Sequence, residues 1–314
     1  MRREGGKGHA RIWTRDACMP VTNRLKQPLD RLCREFDWAR RVEQDAIQFP
    51  RRYHDPADIE IAGLFASCMA YGRVDLFGSW VTWVLDRMGE SPARFVWGFD
   101  LAKHQQVFAG FRYRFNREAD VLAFCLAAQR VLASHGSLGA FFLEGYSAEH
   151  AHVGLALEHF AQGFVGQDLS AIFPRNRLSY GFKHWFPLPS TGGACKRLLL
   201  YLRWMVRREP PDFGIWRGIP PSALLMPVDT HIENMARSIG LTRRRSRNWR
   251  MVEELTAALK RLDPADPVKY DFALCHKRMS GQCLNRRDVA VCSPCGLKPV
   301  CVHWRGRREG KGTR

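Results

Sequence analysis

Apolar residues recur along this chain at helical spacing rather than in alternation. Leu25, Leu29, Leu32, Phe36 and Trp38 fall near one helical face and predict a first helix within 22–48. Two prolines interrupt 48–58, which reads as a loop. Asp58 precedes IEIAGLFASCMAYG, a predicted helix stopping at Gly72, and Asp75 opens another that ends at Gly89. Ser91-Pro92 starts a short helix toward Trp97, and 117–134 reads as a long one. GSLGAFFLEGY and 147–164 add two more, 166–192 is loop-rich, and helical texture returns at 193–208, 229–240, 249–262 and 267–281. No alternating strand pair and no internal repeat stands out. The pattern predicts an all-α fold with helices of ordinary length.

Composition narrows the function more than the fold. The chain has 314 residues, 46% of them hydrophobic, which excludes a disordered chain and allows one large domain or two smaller ones. No apolar run approaches the roughly 18 residues of a membrane span, and the first residues lack the apolar centre of a secretory signal. A cytoplasmic protein with no membrane partner is therefore expected. Lys and Arg total 49 against 31 Asp and Glu, a formal charge of +18. So wide an excess points to a polyanion, nucleic acid above all. Arginine dominates the local runs, at Arg207 and Arg208, at Arg243, Arg244, Arg245 and Arg247, and at Arg305, Arg307 and Arg308. Guanidinium groups suit phosphate, so Arg243, Arg244 and Arg245 are candidate DNA contacts. Residues 1–19 and 302–314 read as a basic arm and a basic tail.

Ten cysteines divide into two sets. Cys18, Cys33, Cys68, Cys125 and Cys195 lie scattered among apolar residues and read as buried thiols. Cys283, Cys292, Cys295 and Cys301 crowd into nineteen residues with gaps of eight, two and five, a spacing that suggests metal or cluster ligation. Cys275, one helix upstream, is expected to pack.

Two segments carry the remaining chemistry. In FPLPSTGGACKRLLLYLRWMVRRE, Pro189, Gly192 and Gly193 make a turn followed by a helix beginning near Ala194. Glycine lets backbone N–H groups approach an anion, and a helix start offers unpaired donors. Lys196 sits in the first helical turn beside Arg197, where dipole and guanidinium both disfavour an ammonium, so it is a candidate nucleophile or a solvated side chain. In PSALLMPVDTHIENMARSIGLTRR, Asp229 or Thr230 caps a helix ending at Gly240, with Glu233 completing a capping box with Thr230. His231 reads as a structural or a functional histidine. Tyr71, Arg73, Trp185 and Phe186 are weaker candidates for a pocket, equally suited to packing.

Val228-Asp229-Thr230-His231-Ile232, with Ala236-Arg237 and Gly240-Leu241, resembles the catalytic-aspartate segment of helix-hairpin-helix DNA glycosylases, endonuclease III-like ones most closely. The Leu188-Pro189 to Gly192 turn is similar to their Leu-Pro-Gly-Val-Gly hairpin, with Ser190 at the first glycine. The last four cysteines resemble their [4Fe-4S] loop, Cys-x6-Cys-x2-Cys-x5-Cys, apart from the first gap, and YDFALCHKRMSGQC resembles the lead-in to that loop. IEIAGLFASCMAYGRV is similar to the first helix of their six-helix core. The chain also resembles a bacterial domain family of unknown function through CKRLLLYLRWMVR and DPVKYDFAL.

The resemblance, over roughly 58–301, implies a two-lobed helix-hairpin-helix fold with a C-terminal cysteine loop. One lobe would be a six-helix core with the hairpin (58–215); the other would be 216–301, joined by the helix of 20–57. It implies a DNA repair glycosylase, with or without AP-lyase action, in a monomer bound to double-stranded DNA in the nucleoid. Asp229 and Lys196 would be catalytic. Gly192, Gly193 and Arg197 would grip the DNA backbone; Tyr71, Arg73, Trp185 and His231 would line the substrate pocket. Cys283, Cys292, Cys295 and Cys301 would hold [4Fe-4S], with zinc as the alternative. Strict hairpin alignment puts the catalytic-lysine position on Ala194, and the 33 positions from Lys196 to Asp229 exceed the endonuclease III spacing. The alternative is a non-catalytic nucleic-acid-binding module on the same scaffold.

Overall fold

The computed structural model describes residues 21–305; the N-terminal arm, Cys18, and Arg307 and Arg308 of the tail lie outside them. The first segment runs α1 (Val21–Glu35), α2 (Ala39–Val42), α3 (Pro56–Met69), α4 (Val74–Met88), α5 (Pro92–Trp97) and α6 (Leu101–His104). A two-stranded antiparallel hairpin follows, β1 (Arg112–Tyr113) with β2 (Asn116–Arg117). Then come α7 (Glu118–His135), α8 (Leu138–Glu144), α9 (Gly154–Val165), α10 (Tyr180–Trp185) and α11 (Lys196–Val206). The last segment holds α12 (Thr230–Ser238), α13 (Trp249–Lys260), α14 (Asp271–Met279) and α15 (Val289–Cys292). Among the described residues the fold is all-α apart from that hairpin, whose two-residue strands are too short to leave an alternating pattern.

Several boundaries differ from the expectation for identifiable reasons. The first helix ends at Glu35, and Phe36 and Trp38 turn inward after the break. Helix α3 starts earlier than Asp58 predicts. Pro56 takes the first helical position, where a missing N–H costs nothing, and the Asp55 carboxylate accepts from the Ala57 N–H at 2.8 Å. Asp58 is thus inside the helix and buried, accepting from the Ser91 hydroxyl at 2.7 Å and the Ala93 N–H at 2.9 Å, which ties α3 to α5. The 147–164 stretch becomes helical only at Gly154. The stretch expected to be loop conceals α10, capped by the Ser179 hydroxyl on the Phe182 N–H at 2.8 Å.

Helix α11 is the axis of the molecule. Its apolar face (Leu198, Tyr201, Leu202, Met205) is buried, and it packs closely on α3. Gly63 permits that approach: a Cβ there would stand 3.1 Å from the Met205 methyl and 3.4 Å from the Tyr201 ring. In the last segment α12 packs on α14, and α1 is pinned to the same region through Tyr270, whose hydroxyl donates to Asp30 at 2.9 Å. The buried apolar residues form one continuous core from Leu25 to Val300.

Among the described residues no single helix is long and apolar enough to cross a membrane. The bent pair α7–α8 passes together by length and composition, but the two helices meet at a 70° bend and their apolar residues belong to the core.

Candidate active site at the start of helix α11

Two left-handed residues set where α11 begins. Gly192 has φ +81°, which only glycine adopts without strain, and Cys195 has φ +46°, held by its thiol against the Pro187 and Gly193 carbonyls at 3.5 Å. The helix therefore starts at Lys196 rather than near Ala194. The unpaired N–H groups of its first turn form a positive pole. The glycine turn is fixed from across the molecule: Gly193 bridges Asn248, and the Trp249 N–H donates to the Gly192 carbonyl at 2.9 Å. That bridge brings the arginine segment beside the glycine turn. Arg243, Arg244 and Arg245 are exposed there, and Arg244 is paired with Glu254.

Helix α12 aims a carboxylate at the same place. Asp229 is its N-cap: one oxygen, Oδ1, accepts from the His231 and Ile232 N–H groups at 2.8 and 2.9 Å. The other, Oδ2, stands 3.8 Å from the Lys196 ammonium nitrogen and 3.8 Å from the Cys275 sulfur. Capping and a role toward a ligand are thus not rival readings of Asp229, because each uses a different oxygen. Thr230 is not the cap and no Thr230–Glu233 capping box forms: the Thr230 hydroxyl accepts from Arg247, and Glu233 pairs with Arg247 at 3.4 Å and Arg237 at 3.6 Å.

Lys196 and Asp229, 26% and 22% exposed, open onto one cavity of about 710 Å³. Gly193, Ala194, Arg197 and His231 share its wall, as does Tyr71 from the end of α3. Burial lowers the His231 pKa, with Asp229 opposing the shift. Tyr71 is held by its hydroxyl on Asn116 Oδ1 at 2.5 Å and stacks on Phe115. An apolar floor of Phe77, Leu200, Val228 and Met279 completes the space.

Three expected site residues are placed otherwise. Trp185 is fully buried, edge-on to Phe65 and Phe124, and lies in the core rather than in the cavity wall. Arg73 is exposed and bonded to Asp75 at 2.6 Å, away from the wall, because α4 begins just after it and turns its side chain outward. Arg197 does not lie among the exposed arginines. Its guanidinium is drawn into the wall, donating to the His184 carbonyl and, at 3.0 Å, to His184 Nε2.

Other wall residues were not singled out for this site. Asp45 reaches it after capping a turn at Ala46–Gln48 and pairs with the buried His276 at 2.9 Å. Arg247 and His184 also line it, as does Cys275, packed at its edge with burial pushing its thiol pKa up. A run of arginines was the only signal for Arg247. Nothing local marks Asp45 or His184, which lie 184 and 45 positions before Asp229.

The last four cysteines meet at a second, small cavity with Met235, Ile239, Leu297 and Trp304. Turns at 292–295 and 298–301 fold the loop back, and the Val302 N–H anchors it to the Ser238 carbonyl at 2.7 Å. Burial and the three neighbouring cysteines push the Cys301 thiol pKa up. Lys277, 8% exposed, lines this cavity. Among the described residues no three His, Cys, Asp or Glu side chains are placed to share one metal ion. Of the scattered thiols, Cys68, Cys125 and Cys195 are buried and Cys33 is half-buried.

Fold and site together define a helical protein whose central helix starts at a lysine–carboxylate cavity. The chain belongs to the family described as Protein of unknown function (DUF2400), whose model matches residues 45–280. No curated protein and no solved structure matches it.

Proposed function

We propose that this protein is a DNA glycosylase that excises a base through Asp229, with Lys196 as the nucleophile of an accompanying AP-lyase step. The observation that carries the reading is the meeting of Lys196 and the uncapped oxygen of Asp229, 3.8 Å apart, in a cavity with room for a nucleoside. A glycosylase extrudes its target from the stack at a cost of about a few kcal/mol and breaks the base–sugar bond in a pocket. Positive charge grows on the sugar as the base leaves, and Asp229 Oδ2 would stabilise it. The Lys196 nitrogen would bond to the anomeric carbon as the bond to the base breaks, its proton passing to Asp229 or the departing base. Ring opening gives a Schiff base, and β-elimination of the 3′ phosphate nicks the strand. The glycine turn, the positive pole of α11 and the exposed Arg243–Arg245 segment would hold the backbone of double-stranded DNA.

The cysteine cavity would hold a [4Fe-4S] cluster on Cys283, Cys292, Cys295 and Cys301. Four thiols around one cavity suit a cluster in which each thiolate binds its own iron, with tetrahedral zinc as the alternative. Its negative charge would sit beside the buried Lys277 ammonium, which lines the same cavity. The protein would then absorb near ~400 nm, and a colourless zinc-loaded anaerobic preparation would overturn the assignment.

The decisive experiment is a panel of damaged duplexes assayed for base release, with borohydride trapping of the covalent adduct. Release lost in Asp229→Asn, and trapping lost in Lys196→Ala, are expected. Salt-sensitive DNA binding with no release from any duplex would instead make this a binding module.

A further inference from the structure

Two exposed aromatic rings adjoin the cavity without lining it. The turn between β1 and β2 presents Phe115, 36% exposed, and α10 opens on Tyr180, 67% exposed. The rings meet edge to face, 5.0 Å between centroids. Behind them the aromatic surface continues into the cavity wall: Phe115 lies parallel to Tyr71 at 5.3 Å and stands 4.6 Å from the His184 ring. Burial and the Arg197 guanidinium hold His184 neutral, its pKa lowered to about 3, so this backing is uncharged. Both rings are fixed in place. The Tyr113 hydroxyl donates to the Tyr71 carbonyl at 2.6 Å, and the buried Asn116 joins the Tyr71 hydroxyl to Asp120. Ser179, just before Tyr180, donates to the same Asp120. Gly72 on the cavity wall leaves room for Arg114, since a Cβ there would stand 2.8 Å from the guanidinium. Arg112, Arg114 and Arg117 are exposed around Phe115, as are Arg175, Arg177 and Lys183 around Tyr180, and neither 112–117 nor 175–183 contains an acidic residue.

We propose that Phe115 and Tyr180 form a shelf that stacks an unpaired nucleobase, in the strand beside the nucleotide that enters the cavity. The inference rests on the nucleic-acid part of the reading above. A tyrosine ring left two-thirds open to water contributes little to the fold, and a base has a flat face to cover it. Charge selects the partner: exposed cations flank both rings and no acid does, so the occupant brings phosphates. Continuity selects the nucleotide: the shelf meets the cavity through Tyr71 and His184, so the base on it neighbours the one inside. A paired base keeps its faces within the duplex stack, and an unpaired one offers a face to the shelf. The favoured substrate is thus a duplex opened on one side of the target nucleotide rather than one paired throughout.

The test measures binding of the full-length protein to duplexes that share an uncleavable abasic analogue at the target position. One is paired throughout, one has a short unpaired flank on the 5′ or the 3′ side of the target, and one has the same flank stripped of its bases. The flank with bases should bind about 5- to 150-fold more tightly than the flank without them, the range for an aromatic–base stack. Phe115→Ala and Tyr180→Ala should each shrink that advantage and bind the baseless flank as the native protein does. Phe115→Leu keeps apolar packing against Tyr71 without the aromatic face, and serves where Phe115→Ala does not fold. Arg114→Gln should instead weaken every duplex alike and reduce the salt slope by about 0.9, the value for one phosphate. An advantage that survives in folded Phe115→Leu and Tyr180→Ala overturns the proposal. So does equal binding of the two flanks by the native protein, or tightest binding of the fully paired duplex, either of which would turn the rings toward a partner other than a base. Base release from damaged duplexes is read separately: a base-dependent advantage with no release removes the glycosylase and keeps the shelf, whereas release without that advantage does the reverse.

Discussion

The two ends of helix α11 handle buried positive charge in opposite ways. At its C-terminal end Arg203 pairs with Asp212 at 3.1 Å and with Asp271, while Arg207 pairs with Asp212 and, at 2.8 Å, with Asp266. Those groups are almost wholly shut from water, and they join the central helix to α14. At the N-terminal end Lys196 faces one oxygen of a carboxylate already half used as a cap, and Arg197 faces no carboxylate among the described residues. A charge taken from water is costly unless it is paired and hydrogen-bonded. The matched end therefore serves the fold. The unmatched end keeps a helix pole and a guanidinium on a cavity, tied to α10 through His184 but not neutralised there by a carboxylate among the described residues, which suits an incoming acceptor.

The comparison breaks first where the effect is largest. Arg203→Met strands Asp271 and leaves Asp212 with Arg207 alone, and should lower unfolding free energy by about 3–5 kcal/mol in a denaturant titration. Arg197→Met should lower it far less, and an equal loss would erase the distinction between the two ends. Next, Asp229→Asn should cut base release by about 10²–10³-fold, about 3–4 kcal/mol in the barrier, since a neutral amide cannot offset the charge on the sugar. Its stability should hardly change, because asparagine caps a helix as well as aspartate does. Asp229→Ala adds the loss of the cap, about 1 kcal/mol by thermal unfolding. The smallest effect belongs to His184. Its pKa lies near 3 in the folded chain against 6.5 for an ordinary histidine. The unfolded chain thus binds the extra proton first, and the contribution to stability, present above pH 6.5, declines as pH falls toward 3. The melting temperature of the native protein should fall more steeply over that window than that of His184→Gln.

Local signals were readable where a residue acts on its own neighbours. Asp229 could be picked out as a cap because an acidic residue stands just before a helix, its catalytic role being only what the glycosylase resemblance implies, and Lys196 because a double glycine precedes it. The same logic misplaced Trp185. Its position beside the glycine turn fits stacking on a base as well as packing, and only its contacts with Phe65 and Phe124 decide for the core. Arg197 shows the limit most clearly. The letters Lys-Arg at a helix start point to phosphate, and no local rule says that His184 will turn one of them inward.

The order of apolar and polar residues, by itself, determined an all-α chain, most of its helices, the glycine turn and the clustered cysteines, because each is enforced by neighbours within a few residues. The tertiary structure alone decided that α12 delivers Asp229 to the start of α11, that Asp45, His184 and Arg247 join them, and that four cysteines converge on one cavity. Those meetings depend on long-range packing, such as α3 on α11 across Gly63, and helical periodicity carries no record of which faces will touch.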